Sequence, residues 1–311
     1  MPVKLSALTA RKILEFDLYQ EMGKKPRLYK SKNFPLLSID IRSLEHRGYD
    51  TLYVPVLQKL ELIRSMSQGL PKVLNDESIP ISTKLAMLNQ ISESILSDVM
   101  KDPTSQAAIS LAVGQCEHHI SFAMFGGDAQ KSMLTQKHEA SFPVAHAMTV
   151  SNLSILLGLK CGIESAKELH ALGVGALLHE IGKTVIDKDY YLRPKNRLQM
   201  KNNRLNKYPE IGIDLLKEMN CVPIDSLAAI AEHQERLDGS GYPQNLKEIN
   251  ISLAGRIVAI CDTYDEALHS PLFNAKPTPF KVLMKMRGEQ NKFDEKVLIS
   301  FIQMLGAGLS N

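Results

Sequence analysis

The stretch Glu232-His233-Gln234-Glu235-Arg236-Leu237-Asp238-Gly239-Ser240-Gly241-Tyr242-Pro243 decides how this chain reads. Its head closes an apolar, helix-like run from Asp225 to His233. Its tail cannot be helical, because two glycines and a proline interrupt it. Some fifty residues earlier stands Leu178-His179-Glu180-Ile181-Gly182-Lys183, again a His beside a carboxylate at the close of an apolar run, Ala171 to Leu178. Divalent metals that activate water need several imidazole and carboxylate ligands converging from different helices. Two such clusters, each at a helix end, read as halves of one metal site.

Working outward, the chain is helical on both sides of these clusters. Helices are expected over His146–Leu159, Ser165–Glu180, Glu210–Met219, Asp225–His233 and Ser252–Leu268. Thr278 as N-cap with Pro279 behind it opens another, and Asp294 caps a last one that Gly306 ends. Two more precede them. One runs from Ser82 to Asp102-Pro103, with Leu85, Leu88, Ile91, Ile95 and Val99 at helical spacing. The other runs from Thr104 to Phe125, stopped by Gly126-Gly127. This pair reads as a helical connector over 71–128. Its His118-His119 has no carboxylate at a useful spacing and reads as packing. Residues 1–70 differ: Phe16–Tyr19, Arg27–Tyr29 and Thr51–Val54 read as short strands, and Ser43–Arg47 as a short helix before Gly48. The expected class is mainly α: an all-helical bundle over 129–311 behind a small α+β module and the connector.

Composition narrows the function classes. A net charge of +3 is too small to argue for nucleic acid. Residues 183–207 nevertheless hold 8 basic against 2 acidic side chains, which suits a phosphate-attracting rim beside the site. No run of about 18 apolar residues is seen, so no membrane insertion is expected, and the start lacks a hydrophobic signal core. Four scattered cysteines without a CxxC pair fit reduced thiols and a cytoplasmic location.

Two further side chains complete the candidate ligand set. His146 opens an apolar helix in Phe142-Pro143-Val144-Ala145-His146, and Asp262 lies in Ala259-Ile260-Cys261-Asp262-Thr263-Tyr264-Asp265. The order His146, His179-Glu180, Asp262, together with Gly241-Tyr242-Pro243, resembles the HD-GYP family of the HD superfamily, metal-dependent phosphohydrolases that cleave cyclic-di-GMP. The resemblance implies metal ligands at His146, His179, Glu180, His233 and Asp262, and catalytic roles for Glu180 and Lys183. Lys183 would meet the scissile phosphate as a point charge. On the substrate side it implies Arg193, Arg197 and the loop residues Arg236, Asp238, Gly239, Gly241, Tyr242 and Pro243, with an internal Glu235–Arg236 ion pair. Cyclic-di-GMP or a related nucleotide is the implied small partner. A protein partner in bacterial signal transduction and a homodimer through the connector are further expectations.

The chain also departs from the family pattern. The signature His-Asp is His179-Glu180, whose extra methylene shifts the carboxylate by roughly 1 Å against a tolerance of roughly 0.5 Å. A further family His aligns with Tyr208, a poor ligand because a phenol titrates near pH 10. The paired His-His is His233-Gln234. The Glu of trinuclear members falls on Phe142, with His138 and Glu139 out of register. Where the family carries an Arg-Pro-Tyr-Lys/Arg stretch, the run His269-Ser270-Pro271-Leu272-Phe273-Asn274 has no cation until Lys276. The first site keeps four ligands, the second only Glu180 and His233. The expectation is one divalent metal, Fe or Mn, or none. Phosphodiesterase activity is then weak or absent and the protein acts by binding a nucleotide or partner; the alternative is an active, atypical phosphodiesterase using a metal-activated water and Lys183.

Overall fold

The computed structural model describes residues 1–5, 8, 12–22, 25–136, 138, 140–186, 205–269, 277–289 and 291–309. They fall into two compact units, Met1–Pro80 and Ile81–Asn311.

The first unit carries an antiparallel sheet of order β1-β6-β3-β4, built from β1 (Pro2–Lys4), β6 (Thr51–Tyr53), β3 (Leu18–Met22) and β4 (Lys25–Lys30). A ribbon of β2 (Lys12–Ile13) and β5 (Pro35–Leu36) accompanies it. Phe16, Leu18, Leu36, Leu44, Leu52 and Leu62 form its core, the last from α2 (Lys59–Leu74) and Leu44 from α1 (Ser38–His46). The expected strands are present: Leu18 and Leu52 are buried on the sheet, whereas Leu28 of β4 is exposed. The two-residue strands β2 and β5 are too short to show any alternation in sequence. Helix α1 begins five residues earlier than expected. Asp40 lies in its first turn and accepts from the backbone of Leu37, the extended N-cap, so the Ser38–Arg42 stretch is already helical.

The second unit is all helical among the described residues. Helices α3 (Ile81–Lys101) and α4 (Gln106–Ala123) pack against each other and on α6 (Phe142–Lys160), and α4 also packs on α7 (Ala166–Leu178). Between them lies α5 (Gly127–Thr135), which the sequence reading passed over. Gly126, at φ +77°, ends one helix and sits as N-cap of the next, so the glycine pair that reads as a stop is also a start. Thr278 caps α12 (Pro279–Gly288) by accepting from the Lys281 amide, and Asp294 accepts from the amides of Lys296 and Val297 at the head of α13 (Glu295–Leu309). Helix α13 runs through Gly306 rather than ending there.

Helix α6 is the axis. It packs against α7, α11 (Leu253–His269) and α13. It is long and apolar enough to cross a membrane by length and composition, contrary to the expectation that no such run exists, and 78% of that window is buried in the bundle. Burial on all sides removes the polar face a surface helix would show.

Two short helices hold the candidate site's rim: α8 (Ile181–Ile186) and α9 (Tyr208–Lys217). They meet backbone to backbone. A Cβ on Gly182 would lie 1.9 Å from the Tyr208 carbonyl oxygen and 2.8 Å from the Gly212 amide nitrogen. Only hydrogen fits there. Gly182→Ala is therefore expected to lower stability by about 1–3 kcal/mol through forced backbone separation. A urea-unfolding loss below about 0.5 kcal/mol, the scatter of ordinary surface changes, would refute the contact.

Candidate metal centre

Four helix ends and faces deliver the donors. His146 lies in the second turn of α6, and Asp262 in the middle of α11. His179 and Glu180 form the turn between α7 and α8, where the apolar run stops. All four are buried, and one ligand atom from each lies within 4.8 Å of the others. His146 Nε2 is 3.1 Å from Asp262 Oδ1 and 4.0 Å from Glu180 Oε1, and His179 Nε2 is 3.4 Å from the same Asp262 oxygen. The longer arm of Glu180 is accommodated, because it leaves a turn rather than a helix face.

The imidazoles are oriented from behind. His179 Nδ1 sits 2.7 Å from the Ala176 carbonyl, and His233 Nδ1 is 2.8 Å from that of Ile230. His146 Nδ1 is 2.7 Å from Asp265 Oδ2. Each contact is to an acceptor, so each Nδ1 carries a hydrogen and each Nε2 faces inward, the atom a metal would take once any proton on it is released.

The interior is charged and short of partners. His179 Nε2 and Asp262 Oδ1 are buried without a hydrogen bond of good geometry, despite their proximity. Burial would raise the Asp262 carboxyl, but the imidazoles of His146 and His179 hold it well below the usual carboxylate range. Burial would also raise Glu180, and Lys183 beside it outweighs that and lowers it. Lys183 donates to Glu180 and stands 4.7 Å over the Tyr208 ring. For His146, burial opposes the proton, but Asp262 and Asp265 hold it well above its ordinary value. Two orphaned lone-pair atoms, an imidazole nitrogen and a carboxylate oxygen, at the focus of two imidazoles and two carboxylates fit a single divalent cation. That N/O donor set suits Fe, Mn, Zn or Ni.

His233 stands apart from this group. Its ring lies 4.9 Å from that of His179, but its Nε2 meets the Tyr208 hydroxyl at 2.5 Å. Burial keeps the Tyr208 phenol protonated and pushes His233 down to about 3, so a neutral phenol donates to a neutral imidazole. Gln234 donates to Asp262 Oδ2 at 2.8 Å. Phe142 stacks on His146, 5.3 Å between ring centroids. His138 pairs with Glu93, away from the centre, and Glu139 lies outside the described residues. His119 is a packing residue on Ser92, its imidazole pushed to about 3 by burial.

The loop after α10 (Leu227–Glu232) is braced differently from expectation. Glu235 accepts from the amides of Gln244 and Leu246 and makes no ion pair with Arg236. Arg236 donates to the carbonyls of His233 and Glu235 and to Thr263 Oγ1, over the Phe293 ring. The loop's backbone amides are better placed for the carboxylate than a guanidinium that points at α11. Asp238 closes a turn on Ser240, and Gly239 takes φ +81°. A Cβ on Gly241 would meet the backbone of Gln234, Glu235 and Arg236 at 2.4–2.5 Å. The loop, with cis Tyr242-Pro243, sets the Tyr242 ring 6.3 Å from that of Tyr208. Arg193 and Arg197 lie outside the described residues, as does the run after Pro271.

The sequence reading gave no role to Asp265 or Glu266. Both were legible as positions three and four after Asp262 on one helix. Glu266 is half-buried, its carboxyl raised by burial and by the charge of Asp262.

Known proteins match this architecture. Residues 128–297 match the model of the family described as HD domain. The chain is 25% identical over 179 residues to the cyclic di-GMP phosphodiesterase PA4108 of Pseudomonas aeruginosa, 58% of this chain and 43% of that protein. It is 33% identical over 121 residues to the cyclic di-GMP phosphodiesterase response regulator RpfG of Xanthomonas campestris pv. campestris, 38% of this chain and 32% of that one. The chain thus spans less than half the length of these relatives. The solved structure of Bd1817, a HDG"Y"P protein from Bdellovibrio bacteriovorus, superposes with a TM-score of 0.67 at 18% identity. It covers 98% of this chain and 99% of that one, and shows a shared fold.

A metal entering this centre has to displace the proton that Asp262 and Asp265 hold on His146. Mn(II) affinity is therefore expected to rise from about pH 6 to about pH 8, with protons released on binding. Titration calorimetry in buffers of different ionisation enthalpy reads both; an affinity independent of pH would remove His146 from the ligand set.

Proposed function

The chain belongs to the HD domain family, and on that premise we propose that it is an HD-GYP-type protein of bacterial cyclic-di-GMP signalling that holds one divalent metal and has weak or absent phosphodiesterase activity. The observation that carries this reading is the pair of contacts Tyr208–His233 and Gln234–Asp262. They take up the imidazole nitrogen and the carboxylate oxygen that a second cation would need.

His146, His179, Glu180 and Asp262 would hold the single cation, Fe or Mn by family precedent. When bound, such an ion activates water and polarises a phosphoryl oxygen. The remaining roles belong to the chain itself. Asp265 and the Ala176 carbonyl keep the Nε2 atoms of His146 and His179 aimed at the centre. Lys183, buried beside Glu180, brings a point charge to a scissile phosphate. The Asp238–Pro243 loop, with Arg236 behind it, forms the substrate side. Arg193 and Arg197, outside the described residues, would add basic charge attractive to phosphate. Losing one charge-assisted phosphate contact after Pro271 costs on the order of 1.5–3 kcal/mol of binding. Losing a second metal costs more in the transition state than in the ground state. Binding therefore outlasts turnover.

A second reading, an active mononuclear phosphodiesterase, is favoured by the complete four-donor group and by Lys183. Anaerobic incubation of cyclic-di-GMP with the purified chain and Fe(II) or Mn(II), with Asp262→Ala as control, separates the two. No linear product despite measurable nucleotide binding is the expected result. Product from the parent chain alone would establish the second reading.

Joint replacement Tyr208→His and Gln234→His is expected to raise bound Mn(II) from about one to about two per chain, the count a restored imidazole pair supports. Elemental analysis of the dialysed proteins gives the ratio. An unchanged ratio would mean these two side chains do not close a second site.

A further inference from the structure

Asp265 is buried, and each of its carboxylate oxygens meets a different histidine. Oδ2 lies 2.7 Å from His146 Nδ1, and Oδ1 lies 2.7 Å from His269 Nδ1. His146 faces the metal centre, whereas His269 is the last residue of α11 and its side chain is 57% exposed. The His269 imidazole sits one helical turn beyond Asp265, where i,i+4 side chains meet. His146, Asp265 and His269 therefore form a continuous line from the focus of the site to the surface. The carboxylate is held low by the two imidazoles that donate to it, against the effect of burial. It accepts from both.

We propose that His269 is a positioning residue for the metal centre, fixing the Asp265 carboxylate so that His146 Nε2 stays aimed at Asp262 and Glu180. The inference rests on the single-metal reading above.

The physical argument is rotational. A carboxylate bonded through one oxygen turns about that bond, and the imidazole it holds turns with it. Bonded through both oxygens, to groups on α6 and α11, it has one orientation. Without His269, Asp265 Oδ1 becomes a buried oxygen lacking a donor, and the carboxylate gains by rotating toward solvent or sharing the His146 hydrogen. Partners behind a metal-ligating histidine ordinarily set affinity by 10–100-fold. An exposed i,i+4 pair acting only within its own helix is worth a few tenths of a kcal/mol and would leave the site untouched.

The test uses the full chain with His269→Ala, and with His269→Gln, which keeps a donor at similar reach. Two readouts are needed. In metal-free protein, the His146 Nδ1 hydrogen is followed by NMR of 15N-histidine-labelled chain, assigned with His146→Gln. Its solvent exchange is expected to be about tenfold faster in His269→Ala and largely restored in His269→Gln. In the second, Mn(II) affinity is expected to fall roughly tenfold in His269→Ala and recover in His269→Gln, with the metal-free protein folded in both variants. Unchanged exchange, or unchanged Mn(II) affinity in a parent chain that binds it, overturns the positioning role. Faster exchange in His269→Ala with no Mn(II) uptake by the parent chain supports the positioning role and instead removes the single-metal reading.

Discussion

Everything in the helical unit is arranged around charge that has no water to face. Two carboxylates and two imidazoles converge in a bundle whose central helix carries no other ionisable group until Lys160 at its end. An uncompensated buried charge costs several kcal/mol, so each must find a partner inside the protein. Glu180 finds Lys183. Asp262 finds His146 and His179 on one oxygen and the Gln234 amide on the other. His146 finds Asp265 behind it. The layers follow from this requirement: a ligand cluster, then its hydrogen-bond holders, then apolar helix. Because three separate segments supply the charges, none can move without leaving another uncompensated.

The departures from the family pattern obey the same constraint. Removing an imidazole at 208 and another at 234 would leave the Nε2 of His233 and an oxygen of Asp262 facing a void. Tyr208 and Gln234 fill both with neutral donors. Burial, which raises the phenol and lowers the imidazole, favours the uncharged pair over an ionic one. The substituted residues are thus mutually consistent. Phe142, stacked on His146, closes the remaining side with an aromatic face.

How much was legible follows from what each feature depends on. Helices with apolar periodicity or a capping residue, such as α11 and α12, read directly, because period and cap are local properties, and α6 reads from its long apolar run. The clustering of the four donors was readable because they follow one another along the chain in a characteristic order, although Asp262 lies mid-helix. Helix α5 and the two-residue strands were hidden: the first behind a glycine pair that signals both an end and a beginning, the second by brevity. The bracing of Glu235 by backbone amides and the line from His146 through Asp265 to His269 were also out of reach. They depend on where a loop folds back and on which oxygen faces which helix, and spacing alone carries neither. The Glu235–Arg236 pair shows the error this produces: adjacency in sequence suggested an ion pair, while the loop offered the carboxylate two amides.

The burial of α6 also bears on how the protein is made. This helix is synthesised well before α11, which covers one side of it and carries Asp262, about a hundred residues downstream. At ~5–20 residues per second, a nascent helix as apolar as a membrane span waits on the order of 5–20 s for that cover. Throughout that interval the growing chain presents a sticky, two-sided surface to the crowded interior of the cell. The feature that gives the finished site its dry, rigid axis therefore makes its birth the most aggregation-exposed moment in the protein's life.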